Sequence, residues 1–361
     1  MQVTERQGDD FGPQGLAAST LLPTPNGWTT LEEIQPGDML YDERGLIRHI
    51  LAKSQIRRSR LAFRVVFRDG EKIVAAPAHR WAVTEANHHG RHKPSVLLTT
   101  QTLYERSLRV PGNTFSTGLQ PVLEAARSSL PLDPYLLGYW LGDGTKGTSA
   151  IACQTADIPE LAQTARRLGF GFSHPGGYVC SVKGLAPRLA AIGVLVQKHV
   201  PAPYLRASVE DRLALLAGLV DTDGSSASSH QNRRNAFYNS NLALLDSVQE
   251  LVWSLGGKSS RRLISKAGQV YPAIAPSVKP IVQRHDQYAV SFVVPFITFR
   301  LTRKTSHQQL ASIRQRQRII AVIEPCGDVE TLCLQVDSPS DLILCGRSMV
   351  ATHGGVRFSL T

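Results

Sequence analysis

Two aspartates stand at the ends of two look-alike apolar stretches. Tyr135-Leu136-Leu137-Gly138-Tyr139-Trp140-Leu141-Gly142-Asp143-Gly144 and Leu216-Ala217-Gly218-Leu219-Val220-Asp221-Thr222-Asp223-Gly224 share one skeleton, a glycine followed five places later by Asp-Gly. The two acids lie 80 positions apart (223 − 143). Each stretch reads as an apolar helix, and the small residues in the middle let a partner helix approach backbone to backbone. Packed about a pseudo-dyad, the pair sets Asp143 and Asp223 side by side at two helix C-termini. Negative charge is unfavourable there unless a cation offsets it. Paired acids in oxygen-rich surroundings suit Mg²⁺, which would activate water and steady a leaving oxygen in phosphodiester cleavage. Two core helices with solvated acidic ends would explain either stretch alone, but not the repeat.

Residues 216–224 (LAGLVDTDG) resemble the LAGLIDADG homing endonucleases almost letter for letter, and LLGYWLGDG is a looser first copy. The resemblance implies a double-stranded DNA endonuclease with Asp143 and Asp223 as metal ligands and Mg²⁺ as cofactor. It implies two repeats of α-β-β-α-β-β-α, whose strands form a saddle on DNA. The first repeat would run from the Tyr135 helix through a helix at Leu161–Leu168 to Lys198. The second would continue through Asn239-Ser-Asn and an amphipathic helix at Leu242–Leu255 to Phe299-Arg-Leu-Thr-Arg-Lys304. Lys198 and Lys304 fall about where the family places its active-site basic residues. Arg233, Arg234, Lys258, Arg261, Arg262, Lys266, Lys279 and Arg284 fit phosphate contacts along the strands and loops. With both halves in one chain, the expected state is a monomer.

The totals fit this reading. The chain has 361 residues, enough for two cores, with 42% hydrophobic and 19% charged residues. A net charge of +11 favours a polyanionic partner. Five scattered cysteines without a CxxC pair argue against a disulfide framework and against a zinc site, and for a reducing compartment. The first residues have no apolar signal core and no apolar run reaches membrane-spanning length, so a cytoplasmic protein without membrane contact is expected.

Around the repeats the texture is all-β. Thr20–Trp28 reads as strand, Asn26-Gly27 turn, strand, and short strands follow at Ile47–Ser54, Leu61–Phe67, Lys72–Ala75 and Trp81–Thr84. Residues 86–132 read as a connector; its His88-His89-Gly-Arg-His92 cluster has no recognised metal spacing and reads as a solvated loop. β texture returns at Arg318–Ile323, with a turn at Pro325–Asp328, a strand at Glu330–Asp337, then Leu342–Leu344 and Gly346–His353.

The order GWTTLEEIQPGDMLYDERG resembles the opening of an intein, the Hint (Hedgehog/intein) splicing domain. Val74-Ala-Ala-Pro-Ala-His-Arg-Trp81 sits where the family's histidine block belongs, and the C-terminal strands resemble its two closing blocks. His79 would then polarise or protonate the scissile amide at the upstream junction. No cysteine precedes Cys153, so an ordinary first-residue nucleophile is missing. Class 3 inteins use an internal cysteine, with a tryptophan in the histidine block and a threonine before the penultimate histidine. Cys333, Trp81, Thr352 and His353 match that set, and a thiol is a competent acyl acceptor when its proton is removed. The departure is Gly354, where the family has the asparagine that cyclises; Gly355 then offers no hydroxyl or thiol. Complete splicing is therefore expected to be blocked.

The resulting expectation is a mixed fold: an all-β Hint domain in two parts (residues 15–127 and 318–354) with an inserted α+β double-motif endonuclease at 128–317. Residues 1–14 and 355–361 would be flanks from an unknown host protein, the extein. Two alternatives stay open: a LAGLIDADG protein that binds DNA without cutting, and an N-terminal auto-processing domain carrying a decayed nuclease.

Overall fold

The computed structural model describes residues 4–5, 14–86, 95–109, 114–125, 129–226, 234–271, 280–308, 317–355 and 358–359. The chain divides into two units, residues 1–124 with 313–361 and residues 125–312. No helix among the described residues is long and apolar enough to cross a membrane.

The first unit is a set of antiparallel sheets closed around one apolar core. Leu16, Leu22, Phe63, Val65, Phe67, Trp81, Leu332 and Ile343 are among its fully buried residues. Its spine is one long strand, Gln317–Leu332, paired with Arg57–Phe67, with Leu16–Ala17 and with Thr114–Gly118. The turn expected at Pro325–Asp328 is not there: the strand runs on, and its register shifts between Pro325 and Gly327 and again between Gly327 and Val329. Bulges of this kind let a ladder pass a proline, which has no N–H to donate. The expected hairpin is present as Leu21–Thr24 against Gly27–Thr30.

The connector expected over 86–132 also proves to be partly core. Val96–Thr99 pairs with Arg80–Ala86, and helix α1 (Thr100–Arg109) follows at once. The Thr99 hydroxyl accepts the Thr102 N–H, and Leu103 is buried. A cap and a single apolar anchor are weak signals inside a polar stretch. The histidines at 88, 89 and 92 lie outside the described residues.

The second unit is built on α2 (Pro134–Asp143) and α6 (Val209–Asp223). The Asp133 carboxylate caps the first by accepting the Leu136 N–H, with Pro134 at the first helical position. Ser208 caps the second by accepting the Asp211 N–H. Between them in sequence come α3 (Ile158–Arg167), α4 (Leu185–Ala191) and the short α5 (Ala202–Leu205); after them come α7 (Leu242–Ser254) and α8 (Thr302–Thr305).

The repeats are unequal. After α6, a four-stranded sheet runs in the order Gly224–Ser225, Asn235–Asn239, Gln287–Val293, Lys258–Ser265. After α2 only three short strands pair: Ala150–Ala152, Val179–Lys183 and Gly171–Ser173. The first-repeat counterpart of the Gly224–Phe237 pairing is a single bridge between Gly144 and Ile151.

The two motif helices touch at their glycines. A methyl group on Gly218 would lie 2.2 Å from the Tyr135 carbonyl oxygen, and one on Gly138 would lie 2.4 Å from that of Leu215. Neither backbone can yield. Gly218→Ala is therefore expected to lower unfolding stability by about 1–3 kcal/mol. Gly118→Ala, which points into open space, should change it by less than about 0.5 kcal/mol. Urea unfolding followed by tryptophan fluorescence measures both.

Candidate functional site

Each motif helix stops at its aspartate because the next residue turns out of the helix: Gly144 and Gly224 both adopt extended backbone, their N–H groups closing on Trp140 and Val220. The helix ends stay close, since a methyl on Gly142 would fall 1.9 Å from the Thr222 hydroxyl. Asp143 and Asp223 are thus delivered to one place. Burial raises the pKa of both; on Asp223 repulsion from Asp143 adds to it, and its carboxyl is pushed up to about 6. Asn239 Nδ2 donates to Asp223 Oδ2 at 2.7 Å. Asp143 accepts no side-chain hydrogen bond from the described residues.

Lys198 and Lys304 reach the same place, one per helix. Lys198 Nζ donates to the Gly142 carbonyl at 2.9 Å and lies 5.1 Å from the centre of the Trp140 ring. Lys304 Nζ is ringed by the carbonyls of Val220, Asp221, Thr222 and Gly224 at 2.6–3.2 Å. Burial brings each ammonium down to about 8, against the pull of the acids. A cation at a helix C-terminus offsets the partial negative charge of the last carbonyls, so each lysine makes its neighbouring aspartate tolerable.

Four further residues support this centre and were not singled out as site residues from the sequence. Asp221, inside α6, accepts the Tyr135 hydroxyl at 2.9 Å and the backbone N–H groups of Arg300 and Leu301. It thereby ties the segment carrying Lys304 to the motif helix. Arg303 makes a two-pronged pair with Asp157. Asn241 Nδ2 holds the Lys198 carbonyl at 2.8 Å. A motif supplies the end of the helix; these partners come from far along the chain and leave no local spacing to read.

The basic residues expected on the saddle do not share one face. On Lys258–Ser265, Ser259 and Arg261 turn toward α7: Gln249 donates to the Ser259 hydroxyl, and Arg261 pairs with Asp246 at 2.7 Å. Arg261 and Arg262 thus lie on opposite faces of the sheet, because side chains alternate across a strand. Lys258 and Arg262 take the opposite face, where the rows Tyr238–Ala289–Arg262 and Ala236–Ser291–Ser260 cross the sheet. Arg234, Lys266 and Arg284 are exposed. Arg233 and Lys279 lie outside the described residues.

In the first unit the expected splicing residues form two contacts. The buried His79 shares a 2.7 Å hydrogen bond between its Nε2 and the Thr352 hydroxyl. That hydroxyl also donates to the Arg80 carbonyl at 3.2 Å, which leaves His79 Nε2 as the donor of the pair. Burial lowers His79 to about 3, so the ring is neutral, and its Nδ1 is buried without a partner. Trp81 is fully buried at 5.2 Å from the His79 ring, and its indole N–H donates to Thr100. It packs edge-on against the histidine ring.

Cys333 follows the end of the long strand. Its backbone N–H donates to the Ser54 hydroxyl, and its side chain lies against Gly355. The preceding residues bring the N-terminal segment alongside: Leu16 pairs with Leu332, Gly15 packs on the Leu332 carbonyl, and the Thr331 hydroxyl reaches the Gln14 carbonyl at 3.4 Å.

An antiparallel β unit split in sequence by a unit with paired LAGLIDADG-type helices is the arrangement expected from the resemblance to inteins that carry a LAGLIDADG homing endonuclease domain, and the chain is similar to proteins of both descriptions. Residues 210–286 match the family model described as LAGLIDADG-like domain. The replicative DNA helicase DnaB of Mycobacterium intracellulare is 32% identical over 367 residues, covering 94% of this chain and 58% of the relative. The protein of the same description from Mycobacterium leprae is 34% identical over 68 residues, 19% of this chain and 11% of the relative. The chain thus spans little more than half the length of the first of these. Among solved structures, the MchDnaB-1 intein is similar over 94% of this chain and 98% of its own, at 14% identity and a TM-score of 0.29. I-DmoI, described in complex with DNA and Ca, is similar over 49% of this chain and 95% of its own, at 17% identity and a TM-score of 0.33.

Because burial and the Asp143 charge give Asp223 extra proton affinity in the folded protein, its contribution to folding stability falls as pH rises from about 4 through 6. At pH 7.5 without divalent metal, Asp223→Asn should be more stable than the parent by about 1–2 kcal/mol. The difference should shrink toward pH 4. Added Mg²⁺ or Ca²⁺ should raise the melting temperature of the parent and leave that of Asp143→Asn/Asp223→Asn unmoved.

Proposed function

We propose that the second unit is a divalent-metal-dependent, site-specific double-stranded DNA endonuclease. The observation that carries this is the forced approach of Asp143 and Asp223, both raised by burial, Asp223 also by repulsion from Asp143, and both beside buried lysines. The donor set fits a hard cation: two carboxylates lie among helix-terminal carbonyls. Asp143 and Asp223 would hold Mg²⁺, which supplies a lowered water pKa and charge for a leaving oxygen. Asn239 fixes the Asp223 carboxylate. Lys198, with donors left beyond Gly142, meets the developing negative charge on the phosphate. Lys258, Arg262, Arg234, Lys266 and Arg284 supply phosphate contacts that set the register on the duplex. Both active-site halves lie in one chain, so the protein works as a monomer.

The first unit is read as the splicing domain, in two parts at about residues 15–127 and 318–354, in a host of the DnaB helicase kind named among the relatives, and working in a cytoplasmic setting. Cys333 takes the acyl group of Gln14, whose carbonyl the strand beside it already contacts, and His79 with Thr352 manages the proton. Gly354 lacks the side-chain amide needed for cyclisation, so the flanks are not joined.

Two measurements test these readings. A randomised duplex library with Mg²⁺ should yield discrete products from the parent. Asp143→Asn/Asp223→Asn should cut at least 100-fold more slowly while keeping salt-sensitive DNA binding. Equal cutting by that variant overturns the site assignment, and binding without cutting by the parent favours a non-cleaving DNA-binding protein. Separately, intact mass should show loss of residues 1–14 in the parent and not in Cys333→Ala; an unchanged mass in the parent removes N-terminal processing.

A further inference from the structure

The Gly354–Gly355 peptide is held more deliberately than a spent junction requires. Its carbonyl oxygen accepts the Leu334 backbone N–H at 2.8 Å, and the Gly354 N–H donates to the Asp341 carbonyl at 2.7 Å. The nitrogen on its other side, Gly355 N–H, donates to His353 Nδ1 at 3.0 Å. Gly355 has a φ of +133°, and the place where its Cβ would stand is 2.8 Å from Cys333 Sγ and 2.4 Å from Cys333 Cβ. The Cys333 side chain therefore fills the space beside the Gly355 α-carbon, next to the Gly354–Gly355 peptide. Only glycine leaves that space, and only glycine takes that φ readily.

These contacts assemble the parts of an acyl-transfer site on a single amide. A thiol stands beside the Gly355 α-carbon, a backbone donor stands on the Gly354 carbonyl oxygen, and an imidazole nitrogen accepts the N–H of the leaving nitrogen. Nucleophile and oxyanion donor are sequence neighbours, Cys333 and Leu334, so the long strand that ends at Leu332 places both. None of this involves the asparagine cyclisation that Gly354 has removed, nor any step at Gln14.

We propose that Cys333 is the nucleophile for cleavage of the Gly354–Gly355 amide. The thiol gives its proton to solvent and the thiolate attacks the Gly354 carbonyl carbon. The oxygen takes up the negative charge, where the Leu334 N–H meets it. Collapse restores the carbonyl and breaks the C–N bond, while His353, having taken a proton from solvent on Nδ1 in place of the hydrogen bond it accepts at rest, delivers that proton to the Gly355 nitrogen. One proton has left the thiol and one has reached the amine, and no oxidant or reductant takes part. Products are a thioester between Cys333 Sγ and Gly354 and a free amine on Gly355. Water then hydrolyses the thioester to the Gly354 carboxylate and restores the thiol.

The test is intact-mass spectrometry of the purified full chain, incubated with and without hydroxylamine. The expected result is a chain ending at Gly354, a released peptide beginning at Gly355, and a Gly354 hydroxamate when hydroxylamine is present. Cys333→Ala should slow release at least about 100-fold, with Cys333→Ser, close in size, retaining the fold and forming an ester only slowly. Gly355→Ala, which drives a methyl into the sulfur, should slow it at least about tenfold. His353→Gln should slow it and flatten the pH–rate profile, which a merely structural role would not do. Release from Cys333→Ala at the parental rate overturns the proposal, as does a folded parent that keeps residues 355–361 and forms no hydroxamate. Loss of residues 1–14 with 355–361 retained overturns it too, yet leaves the N-terminal reading standing.

Discussion

Backbone-to-backbone contact between α2 and α6 governs the second unit. At glycines 138 and 218 nothing stands between the helices except their own peptide groups, at Gly142 only the Thr222 side chain does, and the spacing is set by van der Waals contact. Their two C-termini then have to lie together. The consequences are costly in isolation: like charges on Asp143 and Asp223, and helix dipoles whose negative ends converge. The fold answers with Lys198 and Lys304, each donating to the end of one helix. Most of the polar detail around the site serves to place those two ammonium groups.

The two halves solve that problem differently, and the difference has chemical content. An ammonium has three N–H donors. Lys304 is surrounded by four carbonyls and is only 8% exposed, so its hydrogen-bonding capacity is spent on α6. Lys198 bonds one carbonyl and rests on the Trp140 ring, so it keeps capacity for a substrate. The sheet after α6 has four strands and its counterpart three. A pseudo-symmetric motif has thus been fitted with one half devoted more to holding and the other left more open.

In the first unit the organising element is the strand Gln317–Leu332. Its bulges at Pro325 and Gly327 let it follow Arg57–Phe67 over its length, and its end fixes Cys333 and Leu334. The same strand contacts the N-terminal segment through Thr331 and Leu332. Two peptide segments far apart in sequence, around Gln14 and around Gly354, therefore come to the same strand end. The buried, neutral His79 is held by Thr352, one residue before His353, so the hydrogen bonding of the two histidines is linked through adjacent positions of one strand.

The residues at the chemical centres were legible from the sequence because glycine and aspartate leave little freedom: a repeated Gly-x₄-Asp-Gly on an apolar helix predicts both the close contact and the converging acids. The hairpin at Asn26-Gly27 and the helix ending at Ser254 followed from equally local rules. Three things did not. The strand across Pro325 and the helix at Thr100 were decided by long-range pairing, which overrode local turn and polarity signals. The face on which Arg261 lies depended on strand register, and a shift of one residue would reverse it. The encounter of Cys333 with Gly355, and of Leu334 with Gly354, joins residues some twenty positions apart. Sequence named the thiol, the histidine and the glycines; only the closing of the strands determined which amide they surround.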